Sequence, residues 1–257
     1  MAVSGTERLG FLVAGVQKGG TSALFDYLRE HPGIQMPGIK EAHFFDDEGV
    51  DWRSPDYGRY HALFEEDRRL RGEATPIYLY WPASLERIAR YNPAMRIVLL
   101  FRDPILRAWS HWKMEYAKGK ETRPFAWCIR DGRARLSPGD PAAPGHHRVF
   151  SYVERGLYGQ QVARLLDLFP REQCLFLRSE QLAADPTHCL DRVFDFLGVA
   201  RQGNQPARIV HPGREIAYPS RLEPEDRELL AGTYRSDLSR FEHLTGIETS
   251  FWTRNWP

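Results

Sequence analysis

The 257-residue chain carries 35 Lys+Arg against 34 Asp+Glu, a net charge of +1. Without a global basic field, nucleic acid and polyanions are poor partners, and the length fits one α/β domain, residues 1–257, with an ample core. Cys128, Cys174 and Cys189 lack disulfide or metal-site spacing, so they read as reduced core thiols of a cytoplasmic protein.

The first apolar run, residues 9–16, is too short to span a membrane and lacks the flanks of a secretion signal. It reads as a buried strand over about 10–16, followed by the turn Val16-Gln-Lys18-Gly19-Gly20 and a helix from Thr21 to Glu30. His31-Pro32-Gly33 ends that helix, because proline cannot continue it and glycine suits the turn. Strand, glycine turn and helix start together make a phosphate cradle of Lys18, Gly19, Gly20, Thr21 and Ser22. In G-x-x-x-x-G-K-[ST] the lysine follows the last glycine. Here Thr21 holds that place and the lysine stands earlier, at Lys18, which makes a poor ATPase loop.

Further on, the pattern predicts helices over 82–91, 104–118 and 152–169, and strands at Arg96–Phe101 and Gln173–Leu177. Arg68-Arg69-Leu-Arg71 reads as a charged face before a short strand. Two helices follow, over 186–197 and 223–240, with Pro224 suited to a first turn. Strands alternating with longer helical patterns imply a central parallel sheet flanked by helices, an α/β fold in a single domain. A Pro/Gly-rich stretch at about 137–148 reads as a mobile surface loop, and residues 199–220 as an irregular run.

Two further motifs bear chemistry. Arg102-Asp-Pro104 follows the Arg96–Phe101 strand, and Ser110 lies about two helical turns beyond Arg102. In α/β sheets ligands bind beyond the carboxyl ends of strands, so Arg102 and Ser110 can hold a second phosphate; an Arg102–Asp103 ion pair beside an ordinary surface serine fits equally well. Lys40-Glu41-Ala-His43-Phe-Phe-Asp46 is the second motif. If extended, it turns Glu41, His43 and Phe45 to one side and Ala42 and Phe44 to the other. Glu41 then serves as general base with His43 beside it, whereas a solvated strand end anchored by phenylalanine is the plainer reading. Trp52, Trp81 and Trp109 read as packing rather than as an acceptor cavity, and His146-His147 as solvated.

In order along the chain, Lys18-Gly-Gly-Thr21, Lys40–Asp46, Gly72-Glu-Ala-Thr-Pro76 with Tyr78, Arg102-Asp-Pro104 through Ser110, Arg155-Gly-Leu-Tyr158 and Ser179–Pro186 form one set. That set resembles the sulfotransferases that use 3′-phosphoadenosine 5′-phosphosulfate (PAPS), especially the heparan sulfate N- and 3-O-sulfotransferase branch and its bacterial relatives. The resemblance implies a P-loop-like sulfotransferase fold, PAPS as donor and 3′-phosphoadenosine 5′-phosphate (PAP) as product. It assigns Lys18–Ser22 to the 5′-phosphosulfate and Arg102 with Ser110 to the 3′-phosphate. Arg214 falls near a basic cofactor loop of the relatives. Glu41 matches the general base, and His43 and Asp46 match residues lining the acceptor site.

Two positions depart from the animal 3-O-sulfotransferases: Gln17 stands where they carry arginine, and Ala74 where they carry lysine. Both changes remove cations, so the expected acceptor is the hydroxyl of a small molecule, such as a bacterial secondary metabolite. Alternatives are a glycan or polyketide-chain acceptor, a P-loop small-molecule kinase, and a non-catalytic nucleotide-binding protein. No nucleic-acid or membrane partner is expected.

Overall fold

Every residue of the first strand, Phe11–Gly15, is buried, as its unbroken apolar run requires of a central strand in a parallel sheet. The computed structural model describes residues 8–136, 145–208 and 216–257. In chain order the first half contains β1 (Phe11–Gly15), α1 (Thr21–Arg29), β2 (Ile34–Gln35), α2 (Gly58–His61), β3 (Leu70–Ala74), α3 (Pro82–Tyr91) and β4 (Arg96–Phe101). Then come α4 (Pro104–Ala117), α5 (Phe125–Cys128), α6 (Gly145–Phe150), α7 (Tyr158–Leu166) and β5 (Cys174–Arg178). The last helices are α8 (Ser179–Ala184), α9 (Pro186–Leu197), α10 (Pro224–Thr245) and α11 (Ser250–Thr253).

The described chain groups into two units, one of residues up to Phe101 plus Arg164–Val210, the other Arg102–Ala163 plus His211 onward. The first unit holds a five-stranded sheet in the order β2-β3-β1-β4-β5, with parallel pairings throughout. Phe11, Val13, Val98, Leu100 and Leu177 of the sheet share one core with Leu24, Phe25 and Leu28 of α1 and Leu190, Val193, Phe194 and Leu197 of α9. Each such side chain contributes about 1.5–3 kcal/mol on leaving water. The α9 helix is bounded as its sequence dictates: Asp185 accepts the His188 N–H at 3.0 Å, Pro186 opens it, and Gly198 closes it at φ 70°.

In the second unit Asp103 caps α4, its Oδ1 accepting from the N–H groups of Ile105 at 2.8 Å and Leu106 at 3.2 Å. Asp237 of α10 does the same for α7, accepting from Gly159 at 2.7 Å and Gln160 at 2.9 Å. Tyr158, Phe241 and Trp252 pack together, and Trp109 stacks on Trp112 with ring centroids 4.9 Å apart.

Three expectations need correction. The helix expected over 152–169 is broken: Glu154–Gly156 forms a 3-10 turn and α7 begins at Tyr158. Gly156 sits where a Cβ would lie 2.7 Å from the Tyr234 ring, and Leu157 leaves helical geometry at ψ 75°. The sheet also exceeds the two long strands expected beside β1, because β2 and β3 join it. Residues 145–148 lie in α6 rather than in a loop, while 137–144 fall outside the described residues.

Candidate active site

The turn after β1 is built by close backbone approach. Val16 N donates to Leu100 O at 3.0 Å and Gly19 N to Val16 O at 2.9 Å. A Cβ on Gly19 would lie 2.4 Å from Leu100 O, so only glycine lets the chain fold this tightly. Lys18 at φ 69° and Gly20 at φ 94° turn the loop into α1. Gly20 caps that helix without a side chain, leaving the first-turn amides from Thr21 onward without intrahelical partners. Thr21 is buried and Ser22 half-buried. The loop therefore fits an anionic group on amide donors and the positive end of a helix.

Glu41 stands at the neighbouring strand end. Its N–H donates to the carbonyl of Ala74, the last residue of β3, at 3.0 Å, and β3 pairs directly with β1. The segment is not extended. Glu41 adopts φ 64° and His43 φ 52°, and Phe44 and Phe45 are both buried instead of alternating. Left-handed backbone costs a non-glycine residue about 1–2 kcal/mol, so tertiary contacts must hold this turn.

These contacts bring four charges into a row. Lys40 Nζ lies 2.5 Å from Glu41 Oε1, His43 Nε2 3.5 Å from Glu41 Oε2, and His43 Nδ1 2.9 Å from Asp46 Oδ2. The Asp46 side chain is fully buried, whereas Glu41 and His43 reach solvent. Burial alone would raise the Glu41 pKa, but hydrogen bonding to His43 and the Lys40 charge outweigh it and bring the pKa down to about 2. Hydrogen bonds to Asp46 and then Glu41 raise His43 to about 9, overcoming its desolvation. At neutral pH Glu41 is therefore a carboxylate and His43 an imidazolium.

Below the turn lies a polar layer that the sequence pattern did not mark. Glu73 of β3 is fully buried, and desolvation pushes its carboxyl up to about 7 despite hydrogen bonds from Thr75, Tyr78 and Tyr60. On the far side of the aromatic pair, the half-exposed Glu48 accepts from Arg87 at 2.6 Å and from Trp81 Nε1 at 2.6 Å. The Arg87 guanidinium also lies over Trp52, 4.3 Å from the ring centroid. Trp52 and Trp81 are thus packing residues. Ala74 is fully buried in the apolar core, and the cation nearest Glu41 in sequence is Lys40, to which the sequence reading gave no role.

In the second unit, Arg102 O accepts the Tyr158 hydroxyl at 2.9 Å. The Asp103 carboxylate serves as the α4 cap and accepts Trp256 Nε1 at 3.1 Å. Ser110 lies half-buried within α4. Arg214 lies outside the described residues. His146 and His147 sit on α6, where His146 Nδ1 meets Arg135 O at 3.1 Å.

A family model described as "Sulfotransferase domain" matches residues 10–212, from the start of β1 past α9. The chain belongs to the sulfotransferase family. Heparan sulfate glucosamine 3-O-sulfotransferase 6 of Mus musculus is 35% identical over 196 residues, covering 74% of this chain and 52% of that protein. The chain thus spans about half the length of the curated relatives it first matches. The crystal structure of a sulfotransferase from Alicyclobacillus acidocaldarius superposes with a TM-score of 0.78 at 31% identity, over 96% of this chain and 99% of that one. The sulfotransferase domain of the Synechococcus PCC 7002 olefin synthase shares the fold, with a TM-score of 0.54 at 15% identity over 88% and 94% of the two chains. Among the described residues of this sulfotransferase-family chain, no helix is long and apolar enough to cross a membrane.

Proposed function

We propose that this chain transfers a sulfuryl group from PAPS to a hydroxyl of a small molecule. Glu41 takes the acceptor proton as the acceptor oxygen attacks sulfur and the bond from sulfur to the phosphate oxygen breaks, releasing PAP. Lys18 and the amides of Gly19 through Ser22 stabilise charge gathering on the departing phosphate oxygen. As in phosphoryl transfer, positioning and electrostatics carry most of the rate. Arg102 and Ser110 take the 3′-phosphate. With these cations and amides facing the donor, the reaction needs no metal ion.

The observation that carries the reading is the shared strand end. Glu41 is tethered to the last residue of β3, and the glycine loop leaves the adjacent β1. A base and an anion cradle on neighbouring strands suit in-line transfer between them. His43, an imidazolium at neutral pH, orients Glu41 and faces the acceptor with Asp46 behind it. The missing cation at Ala74 supports a neutral acceptor of modest size, such as a secondary metabolite, modified in the cytoplasm.

A glycan acceptor is the second reading, favoured by the 35% identity to a protein named for heparan sulfate glucosamine. Transfer of labelled sulfate from PAPS to a panel of small hydroxyl compounds and glucosamine oligosaccharides separates the two. Transfer to no acceptor, with PAP still bound, would replace both with a nucleotide-binding role. ATP turnover dependent on magnesium would replace them with a kinase.

A further inference from the structure

Three consecutive loop amides, those of His43, Phe44 and Phe45, end on just two buried hydroxyls. His43 N meets Thr75 Oγ1 at 3.5 Å, and the Tyr78 hydroxyl accepts from Phe44 at 3.1 Å and Phe45 at 3.4 Å. Both hydroxyls in turn bond to one carboxyl group. Thr75 Oγ1 donates to Glu73 Oε2 at 2.7 Å, and Tyr78 hydrogen-bonds Glu73 as well. Tyr60 adds a third hydroxyl, on Glu73 Oε1 at 3.3 Å. Glu73, Thr75 and Tyr78 are each wholly buried.

A hydroxyl has one proton and two lone pairs, so its direction is set by whatever takes the proton. Above about pH 7, where Glu73 is ionised, its carboxylate only accepts. It draws the protons of Thr75 and Tyr78 inward and leaves their lone pairs facing the loop amides. We propose that Glu73 is the positioning residue of the Glu41–His43–Asp46 cluster: acting through Thr75 and Tyr78, it holds the left-handed turn on which the base and the imidazole are presented. Glu73 touches neither donor nor acceptor. The proposal rests on reading Glu41 and His43 as the reacting end of the site.

The geometry explains why a strand otherwise packed in the core carries a glutamate. Glu73 pairs in register with Leu12 of β1, one strand away from the phosphate loop. A carboxylate there is costly to bury, and its three hydroxyl partners offset that cost. Glutamine at this position would turn its amide N–H toward one hydroxyl, reverse that proton, and set hydroxyl against loop amide. The change is nearly isosteric, so packing is retained while the direction of the chain is lost.

The His43 imidazole reports on the turn without any substrate. Its midpoint is followed by NMR of histidine-labelled protein, with the signal assigned by its loss in His43→Gln. In wild type the midpoint is expected near 9. Tyr78→Phe and Thr75→Val keep every charge and remove one hydroxyl each, and both are expected to lower the midpoint by at least about one unit, a tenfold change in proton affinity. Thr75→Ser, which restores the hydroxyl, is expected to return it to the wild-type value.

Glu73→Gln is expected to lower the midpoint too, but through-space loss of a negative charge would do the same. The double variant Glu73→Gln/Tyr78→Phe separates the causes. If Glu73 acts through the hydroxyl, the second change adds little; a fully additive shift would overturn the proposal. An unmoved His43 in folded Tyr78→Phe and Thr75→Val would overturn it as well. Should the Glu73 and Tyr78 variants fail to fold, the Thr75→Val and Thr75→Ser pair decides alone. Calorimetric titration of wild type with PAP tests the donor reading separately, since PAP binding can fail while the His43 shifts stand.

Discussion

His43 Nδ1 lies 2.9 Å from Oδ2 of Asp46, a side chain with no solvent exposure, while the imidazole itself is half open to solvent. A buried carboxylate fixes one ring nitrogen, and the other faces Glu41. Hydrogen bonding to Asp46 is the largest cause of the rise in the His43 pKa to about 9. Because the folded value lies above the ordinary 6.5, the stability contributed by His43 is fully present below about 6.5 and lost as pH rises through 9. The difference in Tm between wild type and His43→Gln should therefore shrink across that window. Transfer of sulfate should fall above pH 9, and Asp46→Asn should move that limb toward neutrality. An alkaline limb that stays in place in Asp46→Asn would detach it from His43.

Lys40 acts on the same carboxylate from the other side. With His43 it holds Glu41 near pKa 2, far below the value at which a general base works best at neutral pH. Lys40→Met should raise the Glu41 pKa toward 4.5, read by the carboxyl carbon shift of labelled glutamate. The sign for stability is opposite to that of His43: a depressed carboxyl stabilises above 4.5 and loses this as pH falls through 2. Lys40→Met should thus narrow the acid range of folding. An unchanged Glu41 titration would show that the short Lys40 contact contributes little.

Glu41→Gln removes the proton acceptor and leaves the shape. Sulfate transfer should drop about 100-fold or more, the usual contribution of a general base, with PAP affinity retained. Lys18→Ala should lower both transfer and PAP affinity. Full activity in Glu41→Gln would move the base to another group.

Much of the fold was legible because burial and period agree in its longest elements. The Arg96–Phe101 strand, the helices at 82–91 and 186–197, and the glycine turn into α1 all match. The strand that was missed and the one only sketched as a short strand after Arg71 are those whose sequence does not read as core. Ile34–Gln35 is two residues long, and Leu70–Ala74 carries Arg71 and Glu73 inside the sheet. The last long helix runs past the expected end at 240 to Thr245, where Gly246 at φ 72° stops it.

At the site, spacing brought out Glu41 and His43 but gave the wrong reason for their proximity. They meet through two left-handed residues, not through strand alternation. Glu73 and Tyr78 stood in the motif without a role, since a buried hydroxyl chain depends on contacts between β3 and a distant loop. The one signal available was a glutamate set between two small residues, Gly72 and Ala74.

Arg102→Ala should weaken PAP about 10- to 100-fold, the worth of one charge-assisted hydrogen bond to phosphate. Adenosine 5′-phosphate, which lacks the 3′-phosphate, should bind both proteins alike. Ser110→Ala should follow the same pattern with a smaller loss. Equal loss for both nucleotides would show that the Arg102 side chain does not single out the 3′-phosphate.

Gly19→Ala tests the cradle itself. A Cβ there would stand 2.4 Å from Leu100 O and 3.0 Å from Val16 O, backbone atoms that cannot swing aside. Overpacking of this kind costs about 1–3 kcal/mol, and relief would come by opening the loop, so PAP binding should weaken along with stability in urea. Gly232→Ala is the control. It lies within α10 with nothing beyond its own stretch of helix within 4 Å of the added carbon, and helix propensity favours alanine by about 1 kcal/mol. The control should leave PAP binding alone and raise the unfolding midpoint. If Gly19→Ala binds PAP as wild type does, the tight backbone approach at Leu100 is a packing feature and the phosphate sits elsewhere.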